Sequence, residues 1–402
     1  MTRRAAAPAT LLAAGWLVAA YLLWHSSASG APPLPHLDPQ AFFTAAQLDA
    51  AASFSRVEDL LWWLGTAAEL AALGLYARFG VRWMRESAAG PIGTGMLLGM
   101  LGFALVWAVQ LPFGVVGLWW QRRHHLSNVG YAAYVFGGWL GLGGEFVFLS
   151  LALAIVMGLG RSLGRRWWTA AVPAFTLLAA LSAFVSPYLL QTRPLHDPNL
   201  AAAGRRLEAK EGVPRTPLVV ENVRDVTTLP NAEATGLGPS RRIVLWNTLL
   251  DGRFSPAELR VVIAHEIGHL AHRDIWRQIG WFALFAVPGT FLIELATRRR
   301  GGLGEPAAVP LSLLVLVGLQ LVALPVENAV SRRIEADADW AALNATHDPA
   351  AANALFSRFV PTTLADPRAS LVDYLFQENH PTIMQRLEMV RAWRRAARRG
   401  VR

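Results

Sequence analysis

The chain has 402 residues, of which 53% are apolar and 16% are charged. Soluble proteins of this length carry about a quarter charged residues, so the composition excludes an ordinary soluble enzyme and indicates a polytopic membrane protein. The net charge of +9 comes almost wholly from arginine, since Lys210 is the only lysine, and it favours contact with anionic lipid headgroups over nucleic acid.

Seven apolar stretches are long enough to cross a hydrocarbon core of about 30 Å. They predict seven membrane spans, at about 8–24, 59–79, 92–120, 131–160, 167–190, 276–296 and 307–328. Arginines before the first stretch and small residues after it also fit a cleavable signal peptide, which is the alternative to a retained first span. The next segment is polar, and Phe42, Phe43 and Leu48 are spaced to lie on an interfacial helix.

One carboxylate, Glu145, falls in the middle of the fourth predicted span. An exposed carboxylate is costly at that depth, so we expect Glu145 to face protein or a water-filled interior. Two interpretations stay open: a structural hydrogen bond within the helix bundle, and a role in a hydrated interior.

The sequence from about 191 to 275 is charged and punctuated by proline, which indicates a water-facing domain between the fifth and sixth spans. Two β-rich runs, Pro217–Val223 and Arg242–Trp246, predict a small sheet, with a turn over Asn231–Ser240. A second water-facing segment begins near Ser331 and ends in a basic tail, so the two segments must combine across the last two spans. The predicted parts are a five-span membrane domain, a first water-facing part, the last two spans and a second water-facing part, at 1–190, 191–275, 276–330 and 331–402.

The segment Val261–His272 reads VVIAHEIGHLAH and contains the pattern H-E-x-x-H. Residues four apart lie one above the other on a helix, so His265 and His269 present their imidazoles to one point, as two ligands of one metal do. Glu266 is rotated by about 100° from His265, which places it to act as a general base on a water at that metal. Because so short a pattern also arises by chance, the alternative is a pair of histidines on a helix surface near the membrane.

The start of this helix is also marked in the sequence. Ser255 fits the N-cap, Pro256 fits the first turn, and Glu258 completes a capping box. His272 and Asp274 follow the motif and are interpreted as surface or cap residues. His272 does not match the six-residue step used by proteases with a third histidine ligand.

A third metal ligand must come from elsewhere in the chain. There is no cysteine, so any metal site is built from His, Asp and Glu, and a catalytic zinc uses three protein ligands plus an open position for water. Glu335, just after the last span, is the natural third ligand, and Asp339 one turn on is placed to accept a hydrogen bond from a zinc-bound histidine. The alternative pairs Glu335 with Arg332 and leaves Asp339 in solvent.

These residues resemble the motifs of the integral-membrane zinc metalloproteases of the type I CAAX prenyl protease group, with the heat-shock membrane proteases as more distant relatives. The resemblance is carried by segments in the same order along the chain: Asn231-Ala232 with Gly236, Arg242 to Leu245 with Thr248 to Leu250, His265 to His269, Ser331 to Arg333 with Glu335 and Asp339, and His380-Pro381 with Arg386-Leu387. Asn247 stands where the family usually has an aspartate, which puts any charge role at that place in doubt.

The resemblance implies a mainly α fold, a seven-span helical membrane protein that encloses a chamber, with a small α+β zinc metalloprotease domain. It implies one zinc ion per chain, a water activated by Glu266 and hydrolysis of peptide bonds. It also implies that Asn231 helps to hold the substrate backbone and that His380 and Arg386 lie at the site, with His380 beside the tetrahedral oxyanion. From the residues alone, His380 reads as a structural histidine before a helix that starts with proline.

We expect a membrane-embedded zinc endopeptidase that cleaves peptides or lipid-modified chains. One alternative within the same chemistry is a quality-control protease that degrades damaged membrane proteins. A third hypothesis is a seven-span transporter or scaffold with a structural zinc, for which His380 would be the fourth protein ligand.

Two observations bear on membrane orientation, and they disagree. Arginine counts in the short loops place the catalytic segment outside, whereas the basic tail and the family resemblance favour the cytosolic face. We expect the cytosolic face on the second of these observations. We also expect a bacterial cell membrane, because the use of arginine almost to the exclusion of lysine indicates a GC-rich genome.

Overall fold

The computed structural model describes residues 3–26, 33–82 and 89–399, with side chains described outside 3–12 and 138–148. Glu145 lies within 138–148, so the prediction for its side chain falls outside the described side chains. The described chain is mainly helical with one small sheet, which confirms that part of the predicted fold class.

The α-helices of the described residues are numbered in chain order: α1 Arg3–His25, α2 Ala45–Phe79, α3 Gly90–Arg123, α4 Tyr131–Leu163, α5 Trp167–Leu189, α6 Pro198–Lys210, α7 Pro256–Ala271, α8 Asp274–Thr297, α9 Val309–Thr346, α10 Pro349–Thr363, α11 Leu371–Phe376 and α12 Ile383–Arg398.

Within the described residues, five helical stretches are long and apolar enough to cross a membrane, so the chain is an integral membrane protein. The five stretches are Ala45–Arg82, Gly90–Arg123, Leu149–Leu189, Asp274–Arg300 and Pro306–Thr346. The third stretch continues through a 3-10 turn at Gly164–Arg166 and therefore holds the end of α4 and all of α5. The seven predicted spans also counted α1 and the whole of α4, where side chains are described only in part, and that number stays a prediction.

The sheet has four strands: β1 Thr192–Pro194, β2 Leu218–Glu221, β3 Ala232–Thr235 and β4 Arg242–Trp246. Their order is β1-β2-β4-β3, with β2 parallel to β4 and the other two pairings antiparallel. Strand β3 is therefore an edge strand, and it occupies the first half of the segment predicted as a turn. Its sequence, Ala-Glu-Ala-Thr, has little β propensity, so only pairing with β4 reveals it.

The chain forms two compact units, each discontinuous in sequence. One comprises Arg56–Ala179 and Phe285–Leu324, which hold most of the apolar helices. The other comprises Met1–Ser55, Ala180–Leu284 and Pro325–Arg402, and contains the sheet, α7 and the polar end of α9. We call them the membrane unit and the site unit.

The expectation of an interfacial helix after the first span is wrong. Phe43 is 5% exposed and Leu48 is 2% exposed, and both belong to the core of the site unit together with Ile267 of α7 and Leu387 of α12. Only Leu48 lies in α2, which begins at Ala45, and both side chains are covered by protein. Burial of such side chains stabilises the fold by roughly 1.5–3 kcal/mol each, so this segment contributes to the core around the site.

Candidate metal centre

Helix α7 begins with the predicted capping box. The Ser255 hydroxyl accepts a hydrogen bond from the Glu258 backbone N–H at 3.3 Å, and the Glu258 carboxylate accepts one from the Ser255 backbone N–H at 2.7 Å. The other carboxylate oxygen of Glu258 accepts from Arg358 Nε at 2.9 Å. Burial alone raises the pKa of Glu258, but its hydrogen bonds with Ser255 and its ion pair with Arg358 outweigh burial and lower that pKa below its ordinary value.

The pattern H-E-x-x-H lies two to three turns into α7. His265 Nε2 and His269 Nε2 are 3.1 Å apart, and their rings are nearly perpendicular. The carboxylate of Glu335 on α9 lies 3.2 Å from His265 Nε2 and 3.7 Å from His269 Nε2. One ligand atom from each of these residues falls within 4.8 Å of the other two, and they form the one such group found in the described part of the chain.

The outer nitrogen of each histidine is bound to a carboxylate. His265 Nδ1 lies 2.9 Å from Asp339 Oδ1, and His269 Nδ1 lies 2.9 Å from Asp274 Oδ2. Asp339 and Asp274 are 1% and 2% exposed. When both Nδ1 atoms donate to these carboxylates, the two Nε2 lone pairs point at each other and at Glu335, an arrangement that a cation stabilises.

The donor set therefore fits a divalent metal ion. Two imidazole nitrogens and one carboxylate are a common ligand set for catalytic metals, which leaves a position open for water. Glu335 Oε2 is buried and has no hydrogen-bond partner among the described residues, as expected of an oxygen that faces an ion. Burial alone would lower the pKa of His265, but the neighbouring carboxylates of Asp339 and Glu335 raise it to about 10, so a bound metal replaces a proton at this histidine.

Asp274 is a site residue that the sequence interpretation missed. It was assigned to the surface or a cap, and it does open α8, but its side chain is buried between His269 and Arg277. Arg277 NH1 donates to Asp274 Oδ1 at 2.6 Å and lies 3.4 Å from Asp337 Oδ2 on α9. A tight turn at Arg273, with φ +56°, brings Asp274 back toward the last turn of α7, a position that helical spacing does not indicate.

Helices α7 and α9 pack closely at Gly268. A Cβ atom at Gly268 would lie 3.0 Å from Ala341 Cβ and 3.3 Å from Ala338 Cα. The small residues around the motif therefore allow the close approach that brings Glu335 to the two histidines.

The segment after α11 brings two more predicted residues to the site. His380 Nε2 lies 3.4 Å from Glu335 Oε2, and Arg386 NH2 lies 3.7 Å from the same oxygen. Arg386 Nε is also 3.3 Å from Asp339 Oδ2. Both side chains line the cavity beside the metal ligands, and neither belongs to the three-residue ligand group.

The alternative in which Glu335 pairs with Arg332 does not occur. Arg332 NH1 donates to the backbone oxygens of Tyr374, at 2.6 Å, and Glu378, and its guanidinium lies 3.9 Å from the centre of the Tyr374 ring. Arg332 therefore holds the segment that leads to His380, and Asp339 is buried rather than solvated.

A cavity of about 330 Å³ lies beside this centre. Glu266, 5% exposed, lines it together with His265, Asn231 and Ala232. Asn231 immediately precedes the edge strand β3, and its backbone oxygen accepts from Trp246 N of β4 at 2.9 Å. The predicted substrate-holding residue and the predicted general base thus share one cavity at the open edge of the sheet.

Asn247 has a structural role at the end of β4. Its side-chain oxygen accepts from Val223 N at 3.0 Å, and its amide nitrogen donates to Asn222 Oδ1. A carboxylate has no donor for the second of these bonds. The amide therefore makes two hydrogen bonds from the end of β4 to residues 222–223, where an aspartate would make only the first.

Comparison with protein families finds a match to the family described as Peptidase family M48, over residues 194–394. The matched region contains every residue of the metal centre described above.

Among curated proteins, the chain is 24% identical to the "Uncharacterized metalloprotease YhfN" of Bacillus subtilis (strain 168), over 92% of each chain. It is 34% identical to a "Protease HtpX homolog" of Acidiphilium cryptum, over 48% of this chain and 73% of that relative. Among solved structures, the crystal structure of S. mikatae Ste24p matches with a TM-score of 0.69 and 17% identity, covering 94% of this chain and 96% of that chain. The fold of the two chains is therefore similar over nearly their full lengths.

Proposed function

The chain belongs to peptidase family M48 and is an integral-membrane metalloendopeptidase, and on that premise we propose that it is a zinc enzyme that uses Glu266 as its general base. The observation that carries the proposal is the convergence of His265, His269 and Glu335 within 4.8 Å, beside a cavity that Glu266 also lines. Zinc at this position would supply a Lewis acid that acidifies a water molecule and polarises the scissile carbonyl. The scaffold or transporter hypothesis is set aside because the chain belongs to a peptidase family.

Glu266 moves the proton in this mechanism. Its carboxylate accepts the proton of the attacking water and then delivers it to the leaving amine nitrogen. Because Glu266 follows His265 directly on α7, the helix backbone fixes the position of the base relative to the two histidines.

His380 and Arg386 act on the negative charge that develops on the carbonyl oxygen. Arg386 is a hydrogen-bond donor next to Glu335, and His380 is one when its Nε2 carries a proton; donors aimed at a developing oxyanion lower the barrier to acyl transfer. The arginine also contacts Asp339, so it holds the orientation of the carboxylate that binds His265.

The substrate binds as an extended peptide along β3. This strand has an unpaired edge in the described sheet, and an edge strand can add a peptide through backbone hydrogen bonds. Asn231 and Ala232 line the cavity at the start of that edge, and Glu266 lines the same cavity, which supports binding of the scissile bond there.

The type of substrate divides the two protease hypotheses, and we favour cleavage of defined peptides or lipid-modified chains. The support is architectural: the likeness to Ste24p extends over nearly the whole chain, whereas the HtpX homolog of Acidiphilium cryptum matches about half of it. Turnover of damaged membrane proteins is the second candidate. Its support is the sequence identity to the HtpX homolog, 34% over the matched region, which is higher than the 17% identity to Ste24p.

The mechanism is tested with Glu266→Gln. The variant should keep one zinc ion per chain and lose peptide cleavage by at least about 100-fold, because only the proton acceptor is removed. Zinc is measured by elemental analysis, and cleavage by a quenched-fluorescence peptide assay. Retention of the wild-type rate would refute Glu266 as the base, and loss of zinc would show that Glu266 holds the metal.

The substrate class is tested with a panel in one membrane preparation. We expect cleavage of short peptides at defined bonds, compared with and without a C-terminal prenylated cysteine, and little turnover of unrelated unfolded membrane proteins. Fast degradation of every unfolded protein, with no preferred bond, would favour the quality-control function instead.

A further inference from the structure

A second cavity, of about 560 Å³, lies in the membrane unit where two turns between apolar helices meet. One turn, Gly164–Arg166, joins α4 to α5, and the other runs from Arg298 to Gly304 between α8 and α9. The last turn of α4 touches the second of these turns, because a Cβ at Gly160 would lie 2.6 Å from Gly304 N. Arginine-rich turns between spans lie at the membrane–water boundary, so this cavity is at the level of lipid headgroups.

The cavity is lined by one buried carboxylate. Glu294 is 6% exposed, and its Oε2 accepts a hydrogen bond from the indole N–H of Trp167 at 2.7 Å. Its Oε1 is buried and has no hydrogen-bond partner among the described residues. Arg165 Nε lies 3.9 Å from Oε1, but the Arg165 side chain is 79% exposed, so solvent screens that pair. A donor supplied by a ligand would therefore complete the coordination of this oxygen.

The rest of the lining is basic and small. Arg165, Arg298 and Arg299 line the same cavity as Glu294, and the remaining wall is mostly glycine. Gly302 has φ +73°, and a Cβ there would lie 3.5 Å from Glu294 Oε2, so glycine at this position keeps the surroundings of the carboxylate open. One small cavity thus offers guanidinium groups for an anion and a carboxylate for a cation.

We propose that this cavity binds the headgroup of an aminophospholipid, with the phosphate at the arginines and the primary ammonium at Glu294 Oε1. A phosphoethanolamine group carries both charges on a short linker, and its ammonium provides N–H donors for the unpartnered oxygen. A choline headgroup has the same charges but no N–H donor. A phosphoglycerol headgroup suits the arginines, but its neutral hydroxyl groups bring no positive charge to Glu294 Oε1. The inference uses residues of the membrane unit alone and does not depend on the metal centre.

The test compares three phospholipids with identical acyl chains and ethanolamine, choline or glycerol headgroups. The full-length protein in detergent micelles is titrated with each lipid, and bound lipid is counted by native mass spectrometry. We expect roughly tenfold tighter binding of the ethanolamine lipid than of the choline lipid, as one additional charge-assisted hydrogen bond provides. Glu294→Gln keeps an acceptor for Trp167 and should abolish that difference, whereas Arg298→Gln with Arg299→Gln should weaken all three lipids.

Arg166→Gln is the matched control, because Arg166 lies in the same turn but does not line the cavity. It should leave the preference for the ethanolamine lipid intact. Equal binding of the ethanolamine and choline lipids to the wild-type protein would overturn the proposal, whether or not any variant folds. So would a preference that survives Glu294→Gln. Competition by soluble phosphoethanolamine or inorganic phosphate at equal concentration would also overturn it, since the ligand would then be a free phosphate compound.

Discussion

Each histidine of the metal centre is oriented by its own buried aspartate, and the two aspartates have different origins. Asp339 comes from α9, one turn beyond the ligand Glu335, whereas Asp274 comes from the first turn of α8. Both carboxylates fix a ring so that Nε2 faces the metal, and such partners are worth roughly 10–100-fold in metal affinity. The affinity of the site therefore depends on residues that do not touch the ion.

Asp274→Asn tests the partner that the sequence interpretation missed. We expect zinc affinity to fall by about 10–100-fold, since the amide no longer enforces the ring orientation of His269 and loses its ion pair with Arg277. Competition with a fluorescent zinc chelator measures the change. Asp373→Asn, at a partly exposed carboxylate in the first turn of α11, is the control and should have no effect. Wild-type affinity in Asp274→Asn would show that Asp274 only caps α8.

Zinc binding should be pH-dependent in a direction set by His265. Since Asp339 and Glu335 raise the pKa of this histidine to about 10, the metal-free site carries a proton there at neutral pH, and zinc must displace it. Affinity should therefore rise by about tenfold per pH unit between pH 6 and 8. Calorimetry in buffers of different ionisation enthalpy counts the released protons. Zinc binding without proton release would contradict the raised pKa.

The elements that carry the site are held at two points, the cap of α7 and its crossing with α9. At the cap, Glu258 is 1% exposed and links Ser255 to Arg358 of α10. At the crossing, Gly268 lies against Ala338 and Ala341. The first point sets where the ligand helix begins, and the second sets how far it stands from the third ligand.

Gly268→Ala tests the crossing. The added Cβ would meet the backbone of Ala338 at 3.3 Å, so α9 must shift and carry Glu335 with it. We expect kcat/KM to fall by about 10–100-fold, because small misplacements at a reacting centre are costly. Gly318→Ala in α9, where a Cβ meets nothing within 4 Å, is the control. If both variants cleave peptide at the wild-type rate, the close approach is not needed for the site.

Glu258→Gln tests the cap. We expect a loss of about 1 kcal/mol in the free energy of unfolding, since the amide weakens the cap and no longer pairs with Arg358. The folded pKa of Glu258 lies below its ordinary value of 4.5, so the charged form stabilises the wild type above that pH, and the contribution is lost as the pH falls through the lowered pKa. Thermal unfolding at pH 7 and pH 4 should show a smaller gap between variant and wild type at the lower pH. A constant gap would contradict the charge contribution.

Local patterns were enough to predict the parts of the site that one helix contains. The period of the α-helix aligns His265 with His269, and the spacing of Ser255 and Glu258 marks the cap; both inferences need only neighbouring residues. The M48 family match confirms the resemblance inferred from these motifs. What the sequence could not reveal depends on contacts between distant segments: the turn that returns Asp274 to His269, the pairing that makes β3 a strand, and the burial of Phe43 in the core of the site unit.

The site unit is assembled from three separated parts of the chain, and its core joins them. Leu48 comes from the first part, Ile267 from the second and Leu387 from the third. The proposed metal ligands follow the same division, with His265 and His269 in the second part and Glu335 in the third. No single part contains both a complete core and a complete ligand set.

Co-expression of two fragments, residues 1–300 and 301–402, tests this division. We expect the fragments together to bind zinc, because α7 and α9 pack through a shared core, and we expect neither fragment alone to bind it at wild-type affinity. Zinc content after co-purification measures the outcome, with Glu335→Ala in the second fragment as the control. Wild-type zinc affinity in residues 1–300 alone would exclude Glu335 as a required ligand.

The position of Glu335 on α9 has a consequence for biosynthesis. The ribosome makes both histidines before it makes α8 and α9, and at about 5–20 residues per second the third ligand follows several seconds later. During that interval the nascent chain has a helix with two imidazoles and a base, but no complete ligand set. With Glu335 as the proposed third ligand, hydrolytic activity can begin only after both of those helices have been synthesised, so the peptidase is inert until then.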